Sequence, residues 1–152
     1  YVNLKRRGMA IANVKETVYR LVAQMDSQTF TDLENKISGY ISSITDNKYS
    51  SISMDEALPK GFTKDDYTLD YSLLSAGTLD TLAMGLRLAI GDYFLNGKKG
   101  FLVLDDPLIN MDDKRKLLAA NVLDNFAKKR QIILFTCHEN IAQTLKGNRI
   151  NI

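Results

Sequence analysis

Cys137 is the only cysteine in 152 residues, which excludes an intrachain disulfide and fits a reducing cytoplasm. No apolar run approaches the length of a membrane span, and no signal-peptide pattern opens the chain. An excess of charge is missing too. Lys and Arg total 20 against 18 Asp and Glu, and a net charge of +2 is too small to imply nucleic-acid binding by itself. The basic runs Lys5-Arg6-Arg7, Lys114-Arg115-Lys116 and Lys128-Lys129-Arg130 are short and read as solvated helix ends. Internal repeats and low-complexity tracts are absent. What remains is ordinary for one globular domain with a real core, at 45% hydrophobic and 25% charged residues. The chain opens at Tyr1 without Met and enters helical periodicity almost at once, as expected of a piece of a longer protein.

Apolar residues at Ile11, Val14, Val18, Leu21 and Met25 are spaced 3 and 4 apart, a heptad seam. Phe30, Leu33, Ile37, Tyr40 and Ile44 repeat the pattern out of phase. The break falls at Asp26-Ser27, and Thr31 with Glu34 has the spacing of a capping box. Two helices, or one kinked helix, are expected, the second docked on a globular body. The seams are short enough to be either amphipathic helices on a core or the root of a long coiled coil. Tyr49, Ile52 and Met54 then suggest a short strand, Leu58-Pro59-Lys60-Gly61 a turn, and Tyr67, Leu69 and Tyr71 a second, half-buried strand. That pair reads as an edge hairpin. A helical pattern covers 76–95. Gly97-Lys98-Lys99-Gly100 makes a tight connection, and Phe101 to Leu104 reads as a parallel strand buried on both faces. A helix from about Asp113 to Lys129 and a strand from Ile132 to Phe135 complete a βαβ unit, for which a right-handed parallel crossover is the default.

Asp105 and Asp106 stand where a buried parallel strand ends, the place where open α/β sheets bind ligands. One carboxylate there can hold Mg²⁺, usually through water, while the ion bridges phosphate oxygens. Its neighbour can orient and deprotonate an attacking water. Asp-Asp-Pro is also good turn chemistry. In Leu74-Ser75-Ala76-Gly77-Thr78, Ser75 is a natural helix N-cap, and Gly77 lets backbone approach an anion such as a γ-phosphate. His138 directly follows a buried strand and can hydrogen-bond a phosphate oxygen, although a lone histidine is often structural. Asp112 reads as the cap of the helix after it.

In that order and spacing, residues 74–138 resemble the C-terminal lobe of ATP-binding-cassette ATPases, and more narrowly the SMC-like branch with the SbcC-type exonuclease ATPases and YhaN-like AAA proteins. Leu74-Ser75-Ala76-Gly77-Thr78 resembles the signature motif and Leu86-Arg87-Leu88-Ala89-Ile90 its continuation. Asp105-Asp106-Pro107 resembles Walker B, Asn110-Met111-Asp112 the D-loop, and Thr136-Cys137-His138 the switch-histidine strand. The resemblance implies an α/β fold: the C-terminal lobe of a P-loop ATPase head, with a mainly parallel sheet and an edge hairpin. It implies a helical segment at 1–45, like the base of a returning coiled-coil arm, and an ATPase lobe at 46–152. Asp106 replaces the family's usual Glu, and Thr78 stands where many members carry Gln or Glu; both departures occur in the YhaN-like branch.

A Gly-x-x-x-x-Gly-Lys-Ser/Thr loop is absent, so the phosphate cradle must come from elsewhere. The resemblance implies an N-terminal lobe carrying Walker A, and two heads that sandwich two ATP molecules with Mg²⁺. Asp105 would bind the metal, and Asp106 and His138 would act on the nucleotide in cis. Ser75, Ala76 and Gly77 would meet the opposite head's nucleotide, and Asp112 would lie at the dimer seam. This chain alone is expected to be inactive. The implied whole is a cytoplasmic ATPase of DNA repair or maintenance, with DNA and a nuclease subunit as candidate partners and no membrane. Arg87 could pass head closure to the arm, or merely form a surface salt bridge. A transport ATPase subunit and a non-catalytic interaction module are the alternatives. Against transport stand the heptad helices and Thr78-Leu79-Asp80-Thr81-Leu82, where transport cassettes carry a Gln/Arg-rich stretch.

Overall fold

The computed structural model describes residues 2–25, 27–55, 58–64 and 67–151. Two helices come first, α1 (Val2–Ala23) and α2 (Ser27–Ile44), and their fates differ. On the first half of α1 the seam residues Ile11 and Val14 are 62% and 64% exposed, whereas Val18 is half-buried and Met25, just past the helix, packs against the core. On α2, Leu33, Ile37, Ile41 and Ile44 are buried. The chain breaks its helix at Gln24–Met25, and Asp26 lies outside the described residues. Thr31 and Glu34 do not cap α2. They sit inside it, where the Thr31 hydroxyl donates back to the Ser27 carbonyl at 2.9 Å.

The next segment is an antiparallel sheet of β1 (Ser51–Asp55), β2 (Leu58–Lys64) and β3 (Tyr67–Asp70), in the order β1-β2-β3. The expected turn at Leu58-Pro59-Lys60-Gly61 is therefore part of a strand. Pro59 pairs with Met54 where the register slips between Ser53 and Met54, and strand prolines are confined to such irregular or edge positions. The inner face docks on α2. Phe62 is fully buried and stacks on Tyr49 with ring centroids 4.6 Å apart, and the Ile52 amide donates to the Ser38 hydroxyl of α2 at 3.1 Å. A 3₁₀ turn at Tyr71–Leu73 leads into α3 (Ala76–Phe94).

Helix α3 runs between two apolar clusters. Met84 and Leu88 pack with Ile44, Leu104, Leu123 and Phe126, whereas Leu82 and Ala89 pack with Ile37, Ile41 and Phe62. The first cluster also carries β4 (Phe101–Asp105), α4 (Asp113–Ala127) and β5 (Gln131–Phe135), a βαβ unit whose strands pair in parallel. The short α5 (Glu139–Thr144) closes it through the buried Ile141.

β4 is not buried on both faces. Leu104 is buried, but Phe101 and Val103 are 56% and 51% exposed, and Phe135 on β5 is 47% exposed. Among the described residues the parallel sheet has only these two strands, separate from the antiparallel sheet. One apolar face and two strand edges are therefore left uncovered, the mark of an interface.

Because α2 belongs to the core and α1 does not, Ile37→Ala should cost about 2–5 kcal/mol in urea unfolding of this chain. Ile11→Ala should stay within about 0.5 kcal/mol. A cost at Ile11 equal to that at Ile37 would contradict the division.

Candidate functional site

The strand register places the site. β4 and β5 run in step from Phe101 opposite Gln131 to Asp105 opposite Phe135, and the Asp106 amide extends the ladder by donating to the Phe135 carbonyl at 2.9 Å. The chain then turns abruptly, with Asp106 at φ 40°. A non-glycine residue enters that left-handed region at an energetic cost, and such residues cluster at functional sites.

The turn sets the Asp106 carboxylate beside the segment that follows β5. Its Oδ2 lies 3.7 Å from the Cys137 Sγ. Ligand atoms of Asp106, Cys137 and His138 all fall within 4.8 Å of one another. A hydrogen bond from the Thr136 hydroxyl is the main influence holding the Asp106 carboxyl below the usual carboxylate range; desolvation opposes it, and His138 and Cys137 add to the lowering. The same hydroxyl accepts the His138 amide at 3.1 Å. The other oxygen, Oδ1, is buried without a hydrogen-bond partner among the described residues. His138 occupies the N-cap position of α5, yet its side chain makes no capping bond, so the plain structural role of a cap does not account for it.

A second group forms where α3 and α4 begin. Ser75 caps α3 by accepting the Thr78 amide at 3.4 Å, and its hydroxyl lies 2.9 Å from the Thr78 hydroxyl. Asp112 caps α4 by accepting the Arg115 amide at 2.9 Å. The Arg115 guanidinium joins the two caps, 3.1 Å from the Asp112 carboxylate and 3.0 Å from the Thr78 hydroxyl to which it donates. Asn110 adds a second tie, donating to Asp80 at 2.9 Å. Gly77 is required by this packing: a Cβ there would stand 2.4 Å from the Asn110 carbonyl oxygen, which is backbone and cannot step aside alone. The helix start at 75–77 is thus locked against the loop 110–112, with Ser75, Ala76 and Asp112 exposed and Gly77 buried.

The expected site residues therefore gather in two places. Asp106 and His138 meet at the strand ends, with Asp105 exposed next to them in the chain but outside the trio. Ser75, Ala76, Gly77 and Asp112 gather at the two helix starts. The segment 106–112, pinned by the buried Leu108 and Met111, connects the groups. Arg87 is exposed on α3 and makes no ion pair among the described residues. Sequence reasoning missed Thr136, Cys137 and Arg115 as site residues. The first two flank His138 directly, and Arg115 lies three residues after the capping Asp112, a spacing that signals contact on a helix.

No protein-family model matches the chain. Three Rad50 ATPases of DNA double-strand break repair are similar in sequence. That of Archaeoglobus fulgidus is 21% identical over 136 residues, 85% of this chain and 15% of that protein. That of Sulfurisphaera tokodaii is 35% identical over 83 residues, 54% of this chain and 9% of that protein. That of Thermococcus kodakarensis is 27% identical over 127 residues, 83% and 13%. The chain thus spans less than a sixth of the length of these relatives.

Among solved structures, one from work on ATP-driven dimerization and DNA-stimulated activation of SMC ATPases has a TM-score of 0.61 at 15% identity, covering 78% of this chain and 75% of that one. The Smc head domain with an extended coiled coil from Pyrococcus furiosus, bound to the C-terminal domain of ScpA, also has a TM-score of 0.61, at 14% identity, covering 95% of this chain and 39% of that one. The βαβ unit with its antiparallel sheet thus shares the fold of SMC ATPase heads, and in sequence the chain is similar to a stretch of Rad50 ATPases.

Proposed function

We propose that this chain is the C-terminal half of an SMC-like ATPase head that hydrolyses ATP in a head dimer and serves DNA repair or maintenance. Walker A comes from an N-terminal lobe, so the chain alone is inactive. The observation that carries the reading is the meeting of Asp106 with His138 across the ends of two parallel strands, beside a carboxylate oxygen that lacks a partner. The relatives' role in double-strand break repair supports the DNA connection.

Phosphoryl transfer to water is catalysed mostly by positioning and charge. Asp105, an exposed carboxylate just beyond the buried Leu104, is a hard oxygen donor that suits Mg²⁺. When bound, Mg²⁺ would neutralise charge on the phosphate oxygens. The unpartnered Oδ1 of Asp106 would accept a hydrogen bond from the attacking water. Its pKa is held low, so this carboxylate serves by orienting that water and stabilising the charge it develops more than by binding its proton strongly. His138 would donate to a phosphate oxygen.

Ser75, Ala76 and Gly77 would meet the nucleotide of the second head, with free N–H groups of the α3 start facing its phosphate. The separation of this group from the strand ends supports action in trans. Asp112, exposed at the start of α4, would lie at the seam. Residues 1–45 would form the base of the arm, with α1 its free part, because the exposed stripe at Ile11 and Val14 suits a returning partner helix. The N-terminal lobe would cover Phe101, Val103 and Phe135. Arg87 would relay closure to the arm. A nuclease subunit and the cytoplasm complete the proposal.

In a head reconstituted from this chain and its N-terminal lobe, Asp106→Asn should lower kcat about 100-fold or more and leave Mg·ATP binding within a few-fold. Equal, negligible rates for both proteins would leave only a non-catalytic interaction module. Val103→Lys should abolish co-purification with the N-terminal lobe and change the stability of the isolated chain by no more than about 0.5 kcal/mol. Co-purification of this variant at the wild-type level would contradict docking on the exposed sheet face.

A further inference from the structure

We propose that Asp106, Cys137 and His138 form a binding site for a thiophilic divalent cation of the Zn²⁺ class, and that such an ion holds the head inactive. The inhibitory consequence rests on the function proposed above; the binding site rests on geometry alone.

Three different donors, a carboxylate oxygen, a thiol sulfur and an imidazole nitrogen, lie within 4.8 Å of one another. Three protein ligands with an open fourth position make a familiar zinc arrangement. On one tetrahedral zinc, with bonds of about 2.3 Å to sulfur and about 2.0 Å to oxygen, the two ligand atoms stand roughly 3.5 Å apart. The Cys137 Sγ and Asp106 Oδ2 are 3.7 Å apart, so they need almost no rearrangement. Their present contact, a weak thiol donor on a carboxylate, is little to lose. Cys137 is exposed, which gives the ion a path in. The turn at Asp106 holds the carboxylate in place at a backbone cost, and its Oδ1 is already without a partner.

Sulfur and imidazole select Zn²⁺ over Mg²⁺, which prefers oxygen in an octahedral shell. Binding is an exchange: the Cys137 thiol releases its proton to solvent as the sulfur–metal bond forms, with no change in oxidation state. An ion so placed takes the carboxylate that would orient the attacking water and the imidazole that would contact phosphate. Turnover stops until the metal is removed.

Co²⁺ added to the whole chain should give a thiolate-to-cobalt charge-transfer band that is absent in Cys137→Ser. In competition with a chromogenic chelator the chain should take up one Zn²⁺, with affinity about tenfold or more weaker in Cys137→Ser and in His138→Gln, and unaffected by excess Mg²⁺. No charge-transfer band in the wild-type chain, or Zn²⁺ affinity unchanged in Cys137→Ser, would overturn the site. In the reconstituted head, Zn²⁺ should inhibit hydrolysis by the wild type and a chelator should restore it, while whatever activity Cys137→Ser shows without metal should need about tenfold or more Zn²⁺ for the same fractional inhibition. Equal inhibition of both would overturn the regulatory claim. A head with no ATPase activity would remove the function proposed above, and the regulatory claim with it, while the cobalt and chelator readings would still decide the site.

Discussion

The in-register parallel pairing of β4 with β5 is the constraint on which the rest depends. It puts Asp105 opposite Phe135 and allows the Asp106 amide to close one further rung on the Phe135 carbonyl. That rung fixes the turn at Asp106 next to Thr136, Cys137 and His138, thirty residues away in the chain. A slip of one residue would turn every side chain of β5 to the other face of the sheet and dissolve the cluster. The helices supply the clamp. Leu104, Leu123, Phe126 and Met84 bury the inner face of the pair and leave the register little freedom.

The same pair has two unlike faces. Its inner face is packed, yet its outer face presents Phe101, Val103 and Phe135 to solvent. A chain selected to fold and act alone would cover such a face, because contiguous apolar surface invites association. The N-terminal helices differ in the same way: α2 is committed to the core, while α1 leaves Ile11 and Val14 exposed. Two uncovered apolar surfaces, on the sheet and on α1, agree with the proposed N-terminal lobe and returning helix.

Much of this was legible in the residues. The apolar spacing of Leu33, Ile37 and Ile44 marked α2 correctly, and Ser75 and Asp112 were recognised as caps because short polar side chains satisfy the free amides of a helix start. The burial of β4 was misread, because a continuous apolar run does not tell a face covered within the chain from one reserved for another lobe. β2 was missed since proline and glycine normally punctuate strands; here a register shift makes room for Pro59. Thr31 and Glu34 matched a capping pattern whose meaning depends on where the helix begins. The Asp106 cluster was legible only in part. His138 stands out in the sequence, but the thiol beside it shows only as a lone cysteine within the Thr136-Cys137-His138 segment, and nothing local in sequence reveals that a backbone turn will aim Asp106 at it.

The most direct measurement is a crystal structure of the reconstituted head with Mg²⁺ and a non-hydrolysable ATP analogue. The account predicts Asp106 and His138 at the γ-phosphate of the nucleotide held by their own head, and the 75–77 helix start at the nucleotide of the opposite head. A nucleotide bound away from the ends of β4 and β5, with Asp106 and His138 turned to other partners, would contradict it.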